Sequence, residues 1–289
     1  MEKFRLLSGP KNHLPSKVRR FGFDCDGTLT DADSERVEYV AKFRQNLAQL
    51  LRNKSLIDQF DDIASDVSKN LSKVGWIIDG KLVCPAHTDG IIFCQAIGRK
   101  LLIQDGFNES DVDSKMLGKL YKDTYTQTIQ DSVFRKGTAQ FLSYARSLSD
   151  DELFVLTNSG TDAVEQKLSL LRSSLPRGQP MPKLPVSGSA MKFALDDSLT
   201  SVPEFIDIPN GARIYCRRKI FMEKLDSLFG DVPRVETVFV GDSLSLDGVI
   251  PLHTGRIFFF LPNSKTPDEE IHYVLNHPNG YVIESLELR

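Results

Sequence analysis

The chain has 289 residues, of which 40% are hydrophobic and 26% charged, as is usual for a soluble globular protein. Its length suits one large domain or a core with a smaller insert, and a formal net charge of -3 gives no electrostatic case for nucleic acid as a partner. The first 20 residues lack the apolar stretch of a signal peptide, and no apolar run approaches the length of a membrane helix. The four cysteines form no C-x-x-C pair, so we expect reduced thiols and a cytoplasmic protein.

The first half of the sequence predicts one strand followed by helices. A buried strand over residues 18–23 runs into a tight turn at residues 24–30. Apolar residues then recur at helical spacing from Ser34, the predicted N-cap, to about Asn53. Further helical patterns cover residues 60–74 and 116–129.

A small β-hairpin is predicted between these helices, at residues 76–83. Asp79 and Gly80 at its centre are residue types that accept the positive φ angles of a tight hairpin turn. Residues 31–132 are therefore expected to form a mainly helical block.

In the second half, strand and helix patterns alternate, which favours a parallel sheet with helices on both faces. The predicted helices cover residues 138–148, 163–175 and 219–229, and the predicted strands 153–156, 237–240, 257–261 and 281–283. The proline- and glycine-rich stretch 176–185 opens an irregular segment that extends to about residue 212 and has no assigned element.

Two groups of aspartates follow predicted strands. Asp24 and Asp26 come directly after the first strand, where open α/β sheets place their ligand crevices, and Gly27 permits a sharp turn that brings both carboxyl groups toward one spot. Asp242 and Asp247 follow a later strand. If these strands are neighbours, the carboxylates converge, and hard oxygen ligands without clustered histidine or cysteine favour Mg²⁺ over zinc or copper.

The ordered motifs resemble those of the haloacid dehalogenase-like phosphohydrolases. Residues 23–30, Phe-Asp-Cys-Asp-Gly-Thr-Leu-Thr, resemble the first motif, and residues 153–159 resemble the second, a strand that ends in a hydroxyl residue. Gly241 and Asp242, with Asp247, resemble the fourth motif, and Lys219 at a predicted helix start is the first candidate for the third. The resemblance implies a Rossmann-like parallel sheet flanked by helices.

The same resemblance implies how the chain is organised. Residues 1–30 and 133–289 would form the catalytic core, and residues 31–132 a helical cap domain inserted after the first strand. In the family, a cap at this place closes over the active site and admits small substrates. A small phosphorylated metabolite is therefore the expected partner, with no role for membrane or nucleic acid.

Catalytic and metal-binding roles are also implied by the resemblance. Asp24 would be the nucleophile that forms an aspartyl-phosphate, and Asp26 the general acid and base. Mg²⁺ would be held by Asp24, the backbone carbonyl of Asp26, and Asp242, with Asp247 in support. Together these residues imply a Mg²⁺-dependent phosphatase.

Phosphate binding would fall to Thr157 and Asn158, whose side chains would donate hydrogen bonds to phosphate oxygens. A lysine would neutralise charge on the transferring group. Lys219 is its first candidate, although the usual Lys-Pro pair is absent, and Lys192 or Lys224 could serve instead.

Two alternatives to a phosphatase stay open. A phosphomutase of the same superfamily uses the same residues, and a non-catalytic module could bind a phosphorylated ligand or a protein. The presence of Asp26 favours phosphate monoester hydrolysis over dehalogenation.

Overall fold

The structure, a computed structural model, describes residues 17–129, 132–149, 152–175, 181–209 and 213–287. The chain divides into two compact units. We call Met1–Asp31 with Phe134–Arg289 the core unit, and Ala32–Val133 the inserted unit. The first strand of the core, β1 (Arg20–Phe23), therefore precedes the whole inserted unit in the chain.

The inserted unit is mainly helical, with one hairpin. Its elements are α1 (Ala32–Leu50), a 3₁₀ turn (Lys54–Gln59), α2 (Phe60–Lys69), β2 (Gly75–Ile78), β3 (Lys81–Pro85), α3 (Gly90–Gln104), α4 (Glu109–Asp111), a π turn (Val112–Met116) and α5 (Leu117–Thr128). The predicted hairpin is confirmed: Asp79 and Gly80 have φ angles of 49° and 74°, as its tight turn requires. The predicted cap at Ser34 is wrong, because α1 begins two residues earlier.

Helix α3 was not assigned from the sequence, and its burial explains why. Ten of its 15 residues are buried, so it lacks the broad polar face that makes an amphipathic helix recognisable. Asp89 caps its start by accepting a hydrogen bond from the backbone N–H of Ile92 at 2.7 Å.

The core unit continues after the insert with helices and strands in alternation. Its elements are α6 (Thr138–Leu148), β4 (Phe154–Leu156), α7 (Thr161–Ser174), β5 (Val186–Ser187), β6 (Phe205–Asp207), β7 (Arg213–Tyr215), α8 (Lys219–Phe229), β8 (Thr237–Gly241), α9 (Val249–His253), β9 (Ile257–Phe260), α10 (Asp268–Asn276) and β10 (Gly280–Val282). The unassigned segment 176–212 thus contains β5 and one strand of the small β6–β7 hairpin, although its residues 176–180 and 210–212 lie outside the described ranges.

Six parallel strands form the sheet of the core unit, in the order β10-β9-β8-β1-β4-β5. Strand β1 lies between β8 and β4, with Phe23 opposite Val240 on one side and Val155 on the other. Strands β4 and β5 lie on one side of β1, and β8, β9 and β10, which follow them in the chain, lie on the other. The carboxyl ends of β1, β4 and β8 therefore lie side by side at the point where open α/β sheets bind ligands.

Helices cover both faces of the sheet. On one face, strand residues such as Phe154, Phe239 and Phe258 pack with α8, α9 and α10. On the other face, residues such as Phe23 and Val155 pack with α6 and α7. Because side chains alternate along a strand, β4, β8 and β9 each supply residues to both cores, which confirms the predicted α/β architecture. Among the described residues, none of the helices is long and apolar enough to span a membrane.

Candidate active site

The loop after β1 is a tight turn that depends on Gly27. The backbone N–H groups of Leu29 and Thr30 donate to the carbonyl of Cys25 at 2.9 and 3.1 Å, and that of Gly27 donates to Oγ1 of Thr30 at 3.0 Å. Gly27 has a φ of 84°, and a Cβ atom there would lie 2.2 Å from Oδ2 of Asp242. A glycine is thus needed both for the turn and for the approach of the Asp242 carboxylate.

Three buried aspartates meet at the carboxyl ends of β1 and β8. The carboxylates of Asp24, Asp242 and Asp247 each supply an oxygen, and these oxygens all lie within 4.8 Å of one another. The three residues are exposed by only 6%, 4% and 2%. The hydroxyl of Thr28 lies 3.1 Å from Oδ1 of Asp242 and 3.4 Å from Oδ2 of Asp24, which links the loop after β1 to the one after β8.

Asp247 is held in place by the π turn Leu244–Gly248 that follows β8. Its Oδ2 accepts a hydrogen bond from the backbone N–H of Ser243 at 3.1 Å, and the Ser243 hydroxyl caps the turn by accepting from the N–H of Leu246 at 3.0 Å. Gly241 provides space for this side chain, because a Cβ at Gly241 would lie 2.4 Å from that of Asp247.

The lysine beside these carboxylates is Lys192. Its ammonium donates to Oδ1 of Asp24 at 2.5 Å and to Oδ1 of Asp247 at 2.7 Å, and the residue is only 1% exposed. It lies in the loop after β5, where its backbone N–H donates to Oδ1 of Asn158 at 2.8 Å and its carbonyl accepts from the buried guanidinium of Arg218. Contacts from two other segments therefore position the lysine.

The buried charges shift the pKa values of this cluster. Burial is the main effect on Asp24; with the carboxylates of Asp247 and Asp26 it raises the pKa of Asp24 to about 7, although Lys192 acts in the opposite direction. Burial would lower the pKa of Lys192, but the charges and hydrogen bonds of Asp24 and Asp247 outweigh it, so the pKa is raised and the ammonium stays charged.

The donor set fits a hard divalent cation. Asp24, Asp242 and Asp247 offer only carboxylate oxygens, the ligands that Mg²⁺ prefers. A cation between them would offset the mutual repulsion that contributes to the raised pKa of Asp24. The side chain of Asp26, which lies in the same turn as Asp24, has different hydrogen-bond partners from those of Asp24.

Both carboxylate oxygens of Asp26 are engaged by donors from the segment that follows β4. Lys167 in α7 donates to Oδ1 at 2.7 Å, and the hydroxyl of Ser159 donates to Oδ2 at 2.5 Å. The Asp26 side chain is 20% exposed, whereas that of Lys167 is 4% exposed. The site therefore contains two separate lysine–aspartate pairs, one at Asp24 and one at Asp26.

Thr157 and Asn158 directly follow β4, at the same end of the sheet. Thr157 is buried, and its Oγ1 accepts a hydrogen bond from the backbone N–H of Ser159 at 3.3 Å. The side-chain oxygen of Asn158 faces the backbone of Lys192. Asn158 thus contributes to the loop that carries the lysine.

Lys219, the first lysine candidate from the sequence, does not belong to this cluster. Its ammonium donates to the hydroxyl of Ser198 at 3.3 Å and lies 4.0 Å from a carboxylate oxygen of Asp196. Lys224 donates to the carbonyl of Ser189 at 2.6 Å. Of the three lysine candidates, it is Lys192 that contacts the carboxylates of Asp24 and Asp247, because the loop after β5 brings it to the carboxyl ends of the strands.

Lys167 and Ser159 were not predicted as site residues from the sequence, although the sequence pattern around Lys167 could have indicated its role. Lys167 lies on the buried face of α7 together with Val164, Leu168 and Leu171, at the spacing of an apolar helix face. A lysine in such a stripe requires a buried partner. Ser159 has no comparable pattern.

No protein-family profile matches the chain, and no curated protein is detectably similar to it in sequence. Solved structures are similar in fold. A haloacid dehalogenase-like hydrolase from Bacteroides fragilis aligns with a TM-score of 0.51 at 14% identity, over 93% of this chain and 98% of its own. The chain has the haloacid dehalogenase-like fold.

A second structure of this fold is a predicted phosphoglycolate phosphatase from Haemophilus somnus. It aligns with a TM-score of 0.50 at 15% identity, over 93% of this chain and 95% of its own. In this chain, the cluster of Asp24, Asp242 and Asp247 lies at the carboxyl ends of the neighbouring strands β1 and β8.

Proposed function

We propose that the protein is a Mg²⁺-dependent phosphatase that transfers a phosphoryl group to Asp24 and then to water. The observation that carries this proposal is the buried cluster of three carboxylates with Lys192 in contact with Asp24. A phosphatase is favoured over a dehalogenase because Asp26, in the same turn, supplies a second carboxyl group for proton transfer.

In the first step, a carboxylate oxygen of Asp24 attacks the phosphorus atom of a phosphate monoester. The bond between phosphorus and the ester oxygen breaks, and Asp26 gives a proton to the departing alcohol. Asp24 then carries the phosphoryl group as a mixed anhydride. Lys192 lies beside Asp24 and would stabilise the negative charge on the transferring phosphoryl oxygens.

In the second step, Asp26 accepts a proton from water, and the water oxygen attacks the phosphorus atom. The anhydride bond to Asp24 breaks, which releases phosphate and restores both carboxyl groups. Thr157 and Asn158, at the end of β4, are the proposed phosphate-binding residues. A phosphomutase would share the first step but pass the group to a second substrate.

The metal ion would be held by the carboxylates of Asp24 and Asp242, with Asp247 in support and the carbonyl of Asp26 as a further ligand. When bound, Mg²⁺ neutralises charge on the phosphate and its attacking carboxylate. Lys192, Thr28 and Ser243 orient these carboxylates through hydrogen bonds.

A small phosphorylated metabolite is the proposed substrate, and the inserted unit would act as the cap that limits its size. Supporting this, the two chain junctions of the insert lie beside the Asp24 loop within the core unit. Thr30 pairs with Phe134, and Arg135 donates to the carbonyls of Leu29 and Gly27 at 3.0 and 2.8 Å. Movement of these junctions would reach the loop directly.

Turnover of p-nitrophenyl phosphate by the purified protein tests the proposal. We expect hydrolysis that stops when Mg²⁺ is chelated, returns when it is added, and falls by several orders of magnitude in Asp24→Asn. Asp231→Asn, at an exposed position of the core unit, serves as the matched control. Wild-type activity in Asp24→Asn, or release of halide from a 2-haloacid without phosphatase activity, would overturn it.

A further inference from the structure

We propose that Lys167 is a positioning residue that holds the carboxyl group of Asp26 in the orientation needed to protonate the leaving group. This inference rests on the phosphatase function proposed above, in which Asp26 is the general acid. It gives a positioning role to a second buried lysine, distinct from Lys192.

The geometry around Asp26 supports this role. Lys167 contacts Oδ1 at 2.7 Å and Ser159 contacts Oδ2 at 2.5 Å, so donors reach the carboxyl group on both oxygens. Each carboxylate oxygen has two acceptor positions, so these contacts leave room for the proton that Asp26 exchanges. The two anchors fix the rotamer of Asp26, and displacement of a proton donor by about 1 Å can cost on the order of 100-fold in rate.

The position of Lys167 argues against a role in stability alone. Its side chain is 4% exposed and extends from the buried face of α7 that also carries Val164 and Leu168. Burying an ammonium group is costly, and replacing both members of a buried ion pair by hydrophobic residues often leaves stability unchanged or improves it. Packing alone would therefore not require the Lys167–Asp26 pair. The lysine is explained by its contact with Asp26.

Helix α7 and the residues at its start give this pair a rigid support. Ser159 is held by two further hydrogen bonds, because its carbonyl accepts from the N–H of Ser189 at 2.9 Å and its N–H donates to Oγ1 of Thr157. Lys167 is two helical turns further on, in the buried part of α7. Asp26 is thus held from a different side of the site than Asp24, which contacts Lys192.

The leaving-group dependence of hydrolysis tests this role. p-Nitrophenolate is a good leaving group and departs without being protonated. Phenolate, the leaving group of phenyl phosphate, depends more strongly on protonation by a general acid. We expect Lys167→Met to lower kcat for phenyl phosphate by on the order of 10- to 100-fold, and for p-nitrophenyl phosphate by much less, with KM nearly unchanged. Lys167→Arg should recover part of the loss, and Arg172→Met, which removes an exposed charge from the same helix, should match wild type.

A double-mutant cycle with Asp26→Asn separates positioning from a general effect on folding. If Lys167 acts through Asp26, Lys167→Met should cause no further loss in the Asp26→Asn background. Equal loss for all leaving groups, or losses that multiply in the double variant, would overturn the proposal. Should Lys167→Met fail to fold, Lys167→Gln, which keeps a donor, and Ser159→Ala enter the same cycle with the same criteria.

The wild-type protein distinguishes failure of this inference from failure of the function on which it rests. Absence of metal-dependent hydrolysis of both aryl phosphates by wild type would overturn the phosphatase and, with it, the role of Lys167. Hydrolysis by wild type with an unchanged leaving-group dependence in Lys167→Met would overturn only the role of Lys167.

Discussion

Asp24→Asn should make the metal-free protein more stable at pH 8, although it removes a carboxylate that contacts Lys192. Burial and neighbouring carboxylates raise the pKa of Asp24 from 3.8 to about 7, so the folded protein binds its proton more tightly than the unfolded chain. Stability is therefore lost as the pH rises from about 4 through 7. The attraction of Lys192, which lowers the pKa of Asp24, is already included in the value of about 7.

The size of the effect follows from this pKa difference. At 1.36 kcal/mol per pKa unit, the raised pKa of Asp24 lowers the free energy of unfolding, relative to a group that stays neutral in both states, by about 2 kcal/mol at pH 5 and about 4 kcal/mol at pH 8. An asparagine carries no charge, so the variant should gain stability over wild type by up to these amounts. The gain should be greater at pH 8 than at pH 5.

Urea unfolding in the presence of a chelator measures this difference directly, with Asp231→Asn as the exposed carboxylate control. Added Mg²⁺ should then stabilise wild type by about 2.7 kcal/mol at 100 times its dissociation constant, and stabilise Asp24→Asn less. If Asp24→Asn were less stable than wild type at pH 8 without metal, burial and the neighbouring carboxylates would not disfavour the ionised form of Asp24 as argued above.

Other substitutions address individual contacts. With the same aryl phosphate as substrate, Lys192→Met should lower kcat by on the order of 100- to 1000-fold, whereas Lys219→Met should leave kcat unchanged. Equal effects of the two substitutions would mean that Lys192 is not the lysine of the site. Asp242→Asn should raise the Mg²⁺ concentration for half-maximal activity at least about tenfold in a metal titration, and an unchanged requirement would remove it from the ligands. Gly27→Ala should lose activity, since its Cβ would lie 2.2 Å from Asp242, and full activity would refute this packing. Small phosphorylated metabolites should be hydrolysed with higher kcat/KM than phosphopeptides, and equal values would argue against a selective cap.

The parts of the site closest to the β-strands could be predicted from the sequence. Asp24 and Asp242 each follow an apolar run, and parallel strands end at one edge of a sheet, so their convergence follows from the topology. The α/β fold could be predicted for the same reason, because buried strands and amphipathic helices have distinct periods. Local sequence is sufficient for such features.

The lysines could not be predicted in this way, because their positions depend on long-range contacts. Lys192 lies 168 residues from Asp24 in the chain, in a segment without clear periodicity, and is held by Asn158 and Arg218. Lys219 lies at the start of a helix, as expected, but its side chain points toward Ser198. Helix α3 was missed because most of it is buried, which removes the amphipathic pattern.

Chemical trapping of the phosphorylated residue tests the central claim most directly. Borohydride reduces an aspartyl-phosphate to homoserine, which peptide mass spectrometry locates in the chain. With wild-type protein, Mg²⁺ and an aryl phosphate, we predict homoserine at position 24, and none when substrate or metal is omitted. Steady turnover of the phosphate without any modification of Asp24 would contradict transfer of the phosphoryl group to that residue.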